Sequence, residues 1–195
     1  MPDLIERVRR ASEGSNLRFS RQFAMPSADT FSVRPIGEFV RDYLEKSRIS
    51  VDPFARNKTW ATFTNDLSPG TSAQYHMDAE DFCKKLHTDS VRADLGLFDP
   101  PYSPRQISEV YKSVGREVGM AGTQNGALYR RVRDALDNLI VPGGVVLSFG
   151  WNSAGMGVKR GYRIIEILLC AHGGGHNDTI CVAEIKEPRA QGRFI

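Results

Sequence analysis

Apolar positions recur along the chain with two different periods, and each change of period marks an element. From Pro35, the residues Ile36, Phe39, Val40, Tyr43 and Leu44 fall at helical spacing and predict a helix ending near Ser47. Short runs at 49–54, 59–64 and 92–98 predict strands, with a helical stretch, 79–86, between the last two. Residues 123–139 read as an amphipathic helix that stops before Pro142-Gly143-Gly144, a turn, and 145–149 is a β-branched buried-strand run. After a glycine-rich loop, 162–171 and 178–187 read as two long strands joined around His172-Gly173-Gly174-Gly175-His176. Residues 1–34 are polar and weakly patterned, predicting a short helix and a loosely structured arm; 35–187 form the folded domain and 188–195 a tail.

Strands alternating with helices imply a mostly parallel α/β sheet covered on both faces, and the two consecutive last strands imply a C-terminal antiparallel hairpin. In such a sheet ligands sit beyond the carboxyl ends of the strands. Composition adds bounds. At 195 residues, 41% apolar and 25% charged, the chain is an ordinary globular sequence of one domain. No apolar run approaches membrane-span length, residues 1–6 lack the apolar core of a signal peptide, and the odd set Cys83, Cys170 and Cys181 has no metal-ligand spacing. The expectation is a soluble protein of a reducing compartment, the cytoplasm, with no membrane partner. Net charge is only +3, yet nineteen of the twenty-six basic residues are arginine, the residue suited to forked contacts with phosphate. The clusters Arg7/Arg9/Arg10, Arg130/Arg131/Arg133 and Lys159/Arg160/Arg163 are interleaved with acids, so solvated faces and a polyanionic partner fit them equally.

Four aspartates, Asp52, Asp66, Asp78 and Asp99, fall where strands give way to loops, at spacings of 14, 12 and 21 residues. One alone reads as a turn former or helix cap. Four along one rim suit a ligand with hydroxyls, amino groups and positive charge. The sharpest motif is Asp99-Pro100-Pro101-Tyr102, directly after an apolar strand. Consecutive prolines fix φ and remove two N–H groups, leaving a rigid lip whose carbonyls act as acceptors. A carboxylate (Asp99), a fixed carbonyl (Pro100) and an aromatic face (Tyr102) fit an exocyclic amine on a planar base. The competing reading is a proline-stiffened turn with a chance aspartate.

These residues resemble the amino-methyltransferases that use S-adenosylmethionine and carry an Asp-Pro-Pro-Tyr signature, mainly adenine-N6 DNA methyltransferases, and look closest to small phage or prophage members. The resemblance covers about residues 35–186. It implies a Rossmann-like, mostly parallel seven-stranded sheet with helices on both faces. In that family the stretch before the first strand lies against the methionine end of the cofactor, the place taken here by 28–39 with Phe31 and Pro35. Asp52-Pro53-Phe54-Ala55 is similar to the first-strand motif, whose acid sits near the cofactor amino group. Asp66, followed by Leu67, matches the acid that binds the ribose hydroxyls, and Asp78, followed by Ala79, the acid facing the cofactor adenine amine. The catalytic tetrapeptide is matched by Asp99, Pro100, Pro101 and Tyr102, Asp99 also bordering the cofactor. Two departures stand out. The glycine-rich turn after the first strand is replaced by Arg56-Asn57-Lys58, and the short interval from Asp52 to Asp66 reduces the first crossover helix to a turn. The loop 55–60 is therefore expected to be irregular, with Arg56 or Lys58 near the cofactor.

C5-cytosine methylation needs a thiolate nucleophile, and none of the three cysteines sits in a proline-cysteine turn. His172 and His176 invite a metal reading, but with no third ligand nearby a hairpin turn with two solvated histidines is expected, and no metal. Trp151-Asn152 is placed to touch a target base or strand, or to form a core tryptophan with a polar turn; Arg105, Lys159 and Arg160 are the further candidates for nucleic acid. The combined reading is methyl transfer from S-adenosylmethionine to the N6 amine of adenine in DNA. The base is flipped out or single-stranded. Sequence specificity is low, because no target-recognition domain is evident, and a homodimer or a separate specificity partner remains open. The alternatives are cytosine N4, RNA adenine N6, or a non-catalytic nucleic-acid-binding or partner protein of the same fold.

Overall fold

Ala93–Phe98 is buried at every position, and the sheet is built outward from it. The computed structural model describes residues 17–101 and 125–188, with only the backbone described for 125–128. Its strands are β1 (Arg18–Phe23), β2 (Ser50–Asp52), β3 (Phe63–Thr64), β4 (Ala93–Phe98), β5 (Ile140–Gly150), β6 (Tyr162–Ala171) and β7 (Thr179–Lys186). Helices are α1 (Arg34–Leu44), α2 (Ala79–Thr88) and α3 (Asn125–Leu139). The seven strands form one sheet in the order β1-β6-β7-β5-β4-β2-β3. Only β7 runs against its neighbours, so β6 and β7 are the expected antiparallel hairpin in an otherwise parallel sheet.

Alternate residues of the central strands face opposite layers. Leu95, Leu97, Val145 and Leu147 cluster with Ile36, Val40 and Tyr43 of α1. On the other face, Val51, Phe98 and Val146 cluster with Phe82 and Leu86 of α2 and with Leu136 and Leu139 of α3. Pro35 lies in the first turn of α1, where its missing N–H costs nothing. At the far end of α2, Ser90 takes φ 62 while the Val91 N–H bonds back to the Leu86 carbonyl, a Schellman-type closure.

Three expectations are corrected. Within the segment expected as an arm, residues 18–23 form β1, which pairs in parallel with β6 and is exposed along its whole length. Backbone pairing and the contact of Arg18 with Glu166 and Tyr43 hold it, rather than burial, so it left no mark in the hydrophobic pattern. The predicted strand 59–64 shortens to Phe63–Thr64, because Trp60 and Ala61 turn into the core beside α1 instead of continuing the ladder. Pro142-Gly143-Gly144 lies inside β5 as a bulge rather than before it: Ala93 pairs with Ile140 and Leu95 with Val145, and Gly143 takes φ 84. Among the described residues no helix is long and apolar enough to cross a membrane.

Glu184, on β7, is buried and accepts the N–H groups of Met156 (2.6 Å) and Gly157 (2.9 Å), which ties the β5–β6 connection to the sheet. Burial pushes its carboxyl above the usual range, and the two backbone donors pull the other way. Gly155 makes this approach possible: it takes φ 44, and a Cβ there would lie 1.9 Å from Glu184 Oε2. Gly155→Ala is therefore expected to cost about 2–4 kcal/mol, lowering Tm by roughly 5–15 °C for a chain of this size. Scanning calorimetry checks this; an unchanged Tm would show that the loop moves aside at no cost.

Candidate active site

A cavity of about 840 Å³ opens beyond the carboxyl ends of β2, β3 and β4, where the chain passes from β2 to β3 on one side and on to β4 on the other. This is the switch point at which open α/β sheets take ligands, and the volume lies within the range of about 300–1,000 Å³ usual for small-molecule and cofactor sites. The expected residues Pro53, Phe54, Asp66, Leu67, Asp78, Ala79, Asp99, Pro100, Pro101 and Trp151 all line it.

The loop after β2 has no helix and no glycine, and its geometry is held contact by contact. Asn65 is fully buried. Its Nδ2 donates to the carbonyls of Pro53 (3.1 Å) and Met77 (3.0 Å), and its Oδ1 accepts the Met77 N–H (3.1 Å). Its backbone accepts from Ala55 N and donates to Asp52 O. The strand that would follow β3 is reduced to one parallel bridge, Asn65 with Tyr75. Asn65 thus joins the loop after β2, the end of β3 and the lead into α2. In the sequence the one signal for Asn65 is an amide directly before a strand-end acid; its burial and its partners come from the fold.

Asp78 caps α2, its carboxylate accepting the Glu80 N–H at 2.9 Å, and Asp66 forms a turn with the Ser68 N–H at 2.8 Å. Each has the ordinary role its position suggested, and each also faces the cavity. Asp52 lies beneath the floor without lining it, only 1% exposed, with Oδ1 accepting the Phe54 N–H at 2.9 Å. Burial holds its carboxyl well above the usual range, against the pull of the Phe54 N–H, and the charges of Asp99 and Asp66 push it further. Such a field favours a cationic ligand.

Other expected residues fall differently. Phe31 does not line the cavity: the 3-10 turn Thr30–Ser32 rotates it inward onto Phe149 (centroids 5.0 Å apart) and Trp60 (5.9 Å). Pro35 is buried behind it, and the wall here is built instead by Pro26, Ala28, Thr30 and Val33. The histidines are not both solvated. His172 is buried, bridging the Ala24 carbonyl (2.7 Å) and the Thr179 hydroxyl (2.9 Å), while His176 is exposed at the cavity mouth. Among the described residues no group of three histidine, cysteine or acidic side chains could hold a metal. Tyr102 and Arg105 lie outside the described residues. Tyr129, missed in the sequence, lines the cavity from α3 and donates its hydroxyl to the Pro101 carbonyl, which fastens the proline lip. Asn152 is exposed, with Oδ1 accepting the Ala154 N–H, and Lys159 is exposed in the 3-10 turn Val158–Arg160; neither lines the cavity. Arg160 is occupied internally, paired with Asp134 (2.7 Å) and donating to the Met156 carbonyl (2.9 Å).

The raised pKa of Asp52 has a consequence for stability. A folded pKa above the unfolded one gives a contribution that is complete below the unfolded value and lost as pH rises through the folded value. Asp52→Asn keeps the acceptor for Phe54 and removes the titration. The variant should therefore gain stability on the parent as pH rises from about 4, the unfolded value, through the raised folded value. Urea unfolding of both proteins across that range tests it; a difference independent of pH would place Asp52 at an ordinary value.

Comparison with solved structures identifies the fold. The N-methyltransferase NodS from Bradyrhizobium japonicum WM9 superimposes with a TM-score of 0.55 at 11% identity, over 83% of this chain and 99% of that one. Its complex with S-adenosyl-L-homocysteine gives 0.52 at 10% identity, over 96% and 100%. NSun6 from Pyrococcus horikoshii, solved with SFG, gives 0.52 at 14% identity over 84% of this chain, which spans about half (53%) of the NSun6 structure. No family model and no curated protein sequence matches the chain. The likeness is one of fold, and the fold is that of these methyltransferases.

Proposed function

We propose that this protein transfers a methyl group from S-adenosylmethionine to the N6 amine of adenine in DNA. The observation that carries the reading is the placement of Asp99-Pro100-Pro101 at the end of a central strand, in the wall of a cavity shared with Asp66 and Asp78. The chemistry of the wall fits the cofactor. Acceptors are spaced along it for ribose hydroxyls and an adenine amine, the acidic field suits a sulfonium, and the neighbours of like fold were solved with S-adenosyl-L-homocysteine and SFG. When bound, S-adenosylmethionine supplies a methyl already activated for in-line displacement.

The chain's own part is to present the amine. The Asp99 carboxylate and the Pro100 carbonyl each accept a hydrogen bond from one N–H of the amine and draw its lone pair out of conjugation with the ring; one of these protons is released to water once the nitrogen carries the methyl. The prolines keep these acceptors from rearranging, and Tyr129 fastens the lip from behind. Tyr102 follows directly and is assigned the face of the base. Trp151, about half exposed at the cavity edge, is placed to cover a base leaving the stack.

Asp99→Ala is expected to lower methyl transfer about 10²–10³-fold while leaving cofactor affinity nearly intact, because the contact strengthens only as charge develops on nitrogen. Methyl incorporation measured beside calorimetry checks both halves; transfer at the parent rate would remove the tetrapeptide from the active site. Asp66→Ala should do the reverse, weakening S-adenosylhomocysteine binding by about 1.5–3 kcal/mol, roughly tenfold to a hundredfold. Unchanged affinity would leave Asp66 a turn residue. Mass spectrometry of nucleosides from DNA and RNA, after expression in a methylation-deficient host, tests the substrate. N6-methyladenine in DNA supports the proposal, and N4-methylcytosine, or label confined to RNA, overturns its choice of acceptor.

A further inference from the structure

Arg56 stands where a loop over the methionine end of a cofactor would turn on glycine, and it behaves like that glycine: its φ is 49. A non-glycine residue is held in the left-handed region only where its surroundings dictate it. Here the anchors lie on both sides. Ala55 is buried, with its N–H on the Asn65 carbonyl (2.8 Å); the Asn57 Oδ1 accepts the Ser72 N–H (3.0 Å); and the Lys58 ammonium pairs with Asp29 (3.2 Å) and lies over the Trp60 ring. The result aims the Arg56 side chain at the cavity, where its Nη1 donates to the Ala28 carbonyl at 2.6 Å. Guanidinium has five N–H donors, so this bond locks the side chain and leaves donors for a ligand.

Charge makes the position informative. Among the described residues that line the cavity, Arg56 is the one arginine or lysine, while Asp66, Asp78 and Asp99 are in the wall and Asp52 is beneath it. S-adenosylmethionine carries cations at sulfur and at the α-amine, which suit this field, and one α-carboxylate, which does not. Topology supplies the match. Asp66 and Asp78 follow β3, on one side of β2, and Asp99 ends β4 on the other. With the nucleoside toward β3 and the methyl toward Asp99, the amino-acid end lies over β2, under its loop.

Resting on the cofactor reading above, we propose that Arg56 binds the α-carboxylate of the cofactor through a forked, charge-assisted contact, replacing the backbone amides that a glycine turn would offer. Binding of the carboxylate then depends on a side chain held in place by Ala28, and the segment before α1 and the loop after β2 close the methionine end together.

The test is calorimetry on the full chain with two ligands: S-adenosylhomocysteine, which has the carboxylate, and 5′-deoxy-5′-methylthioadenosine, which lacks the amino-acid end. Two variants serve, Arg56→Gln and Arg56→Gly, the second also relieving the backbone at positive φ, so that misfolding cannot mimic the result. The expected result is that the parent binds S-adenosylhomocysteine about tenfold to a hundredfold more tightly in both comparisons, than methylthioadenosine and than either variant does, while all three proteins bind methylthioadenosine alike. Equal binding of S-adenosylhomocysteine by parent and variants overturns the proposal and leaves the cofactor reading standing. A parallel titration with oligonucleotide completes the test: variants that keep S-adenosylhomocysteine affinity but lose affinity for oligonucleotide also overturn the proposal, assigning Arg56 to a phosphate. A parent that binds neither ligand overturns the cofactor reading itself, and this proposal with it.

Discussion

The buried amide of Asn65 holds together three chain segments that would otherwise be tied by a helix. Between β2 and β3 the chain has too few residues for the helical crossover usual between parallel strands. It must reverse direction in loop conformation and still present a defined wall. Loop backbone has polar groups that no ladder satisfies, and next to a sheet they are shut off from water. Asn65 answers this with both ends of one side chain, giving donors to the carbonyls of Pro53 and Met77 and an acceptor to Met77 N–H. The pair Thr64–Gln74 repeats the device one residue earlier, each side chain bonding the other's backbone N–H. The positions of Phe54, Arg56, Asp66 and Asp78 relative to one another all follow from this knot.

Charge is distributed by the same economy. Much of the arginine richness is used inside the molecule. Arg133 donates to the Gly155 carbonyl and lies over the Phe98 ring, Arg131 pairs with Glu80, Arg160 with Asp134, and Arg163 with Glu187. Lys186 bonds the carbonyls of Asp137 and Ile140 and pairs with the Asp137 carboxylate, closing the end of α3 against β7. These contacts tie α3 to α2, to β7 and to the connection between β5 and β6. The aspartates are left gathered at the strand ends, where the charges of Asp66 and Asp99 reach Asp52 through low-dielectric surroundings.

The amino-terminal part belongs to the cavity as much as the motifs do. β1 ends at Phe23, and the next residue, Ala24, offers its carbonyl to the buried ring of His172, which the Thr179 hydroxyl holds from the other side. From that anchor, residues 26–33 run along the cavity and meet Arg56 and Lys58. A strand at the far edge of the sheet thus fixes one wall of a site at its middle.

What the sequence by itself determined was everything that repeats or that chemistry marks. The periods of α1, α2, β4, β6 and β7 were legible because burial on one or both faces imposes them, and the hairpin followed from two strands with no helix between. Asp66, Asp78 and Asp99 could be placed along one rim because a strand-end acid stands out against apolar neighbours, whereas Asp52, expected beside them, is buried beneath the floor. The short interval from Asp52 to Asp66 excluded a helix between them. Tertiary structure alone decided the rest. β1 is an edge strand held by backbone pairing, which leaves no hydrophobic signature. Phe31 turned inward because the core beside Trp60 and Phe149 takes an aromatic ring more favourably than the cavity wall does. Asn65, Tyr129 and His172 gained their roles from partners 12 to 148 residues away, and such a distance erases any local pattern. Local sequence sets the conformations a segment prefers, whereas the pairing of a buried polar group depends on which distant atoms packing brings within reach.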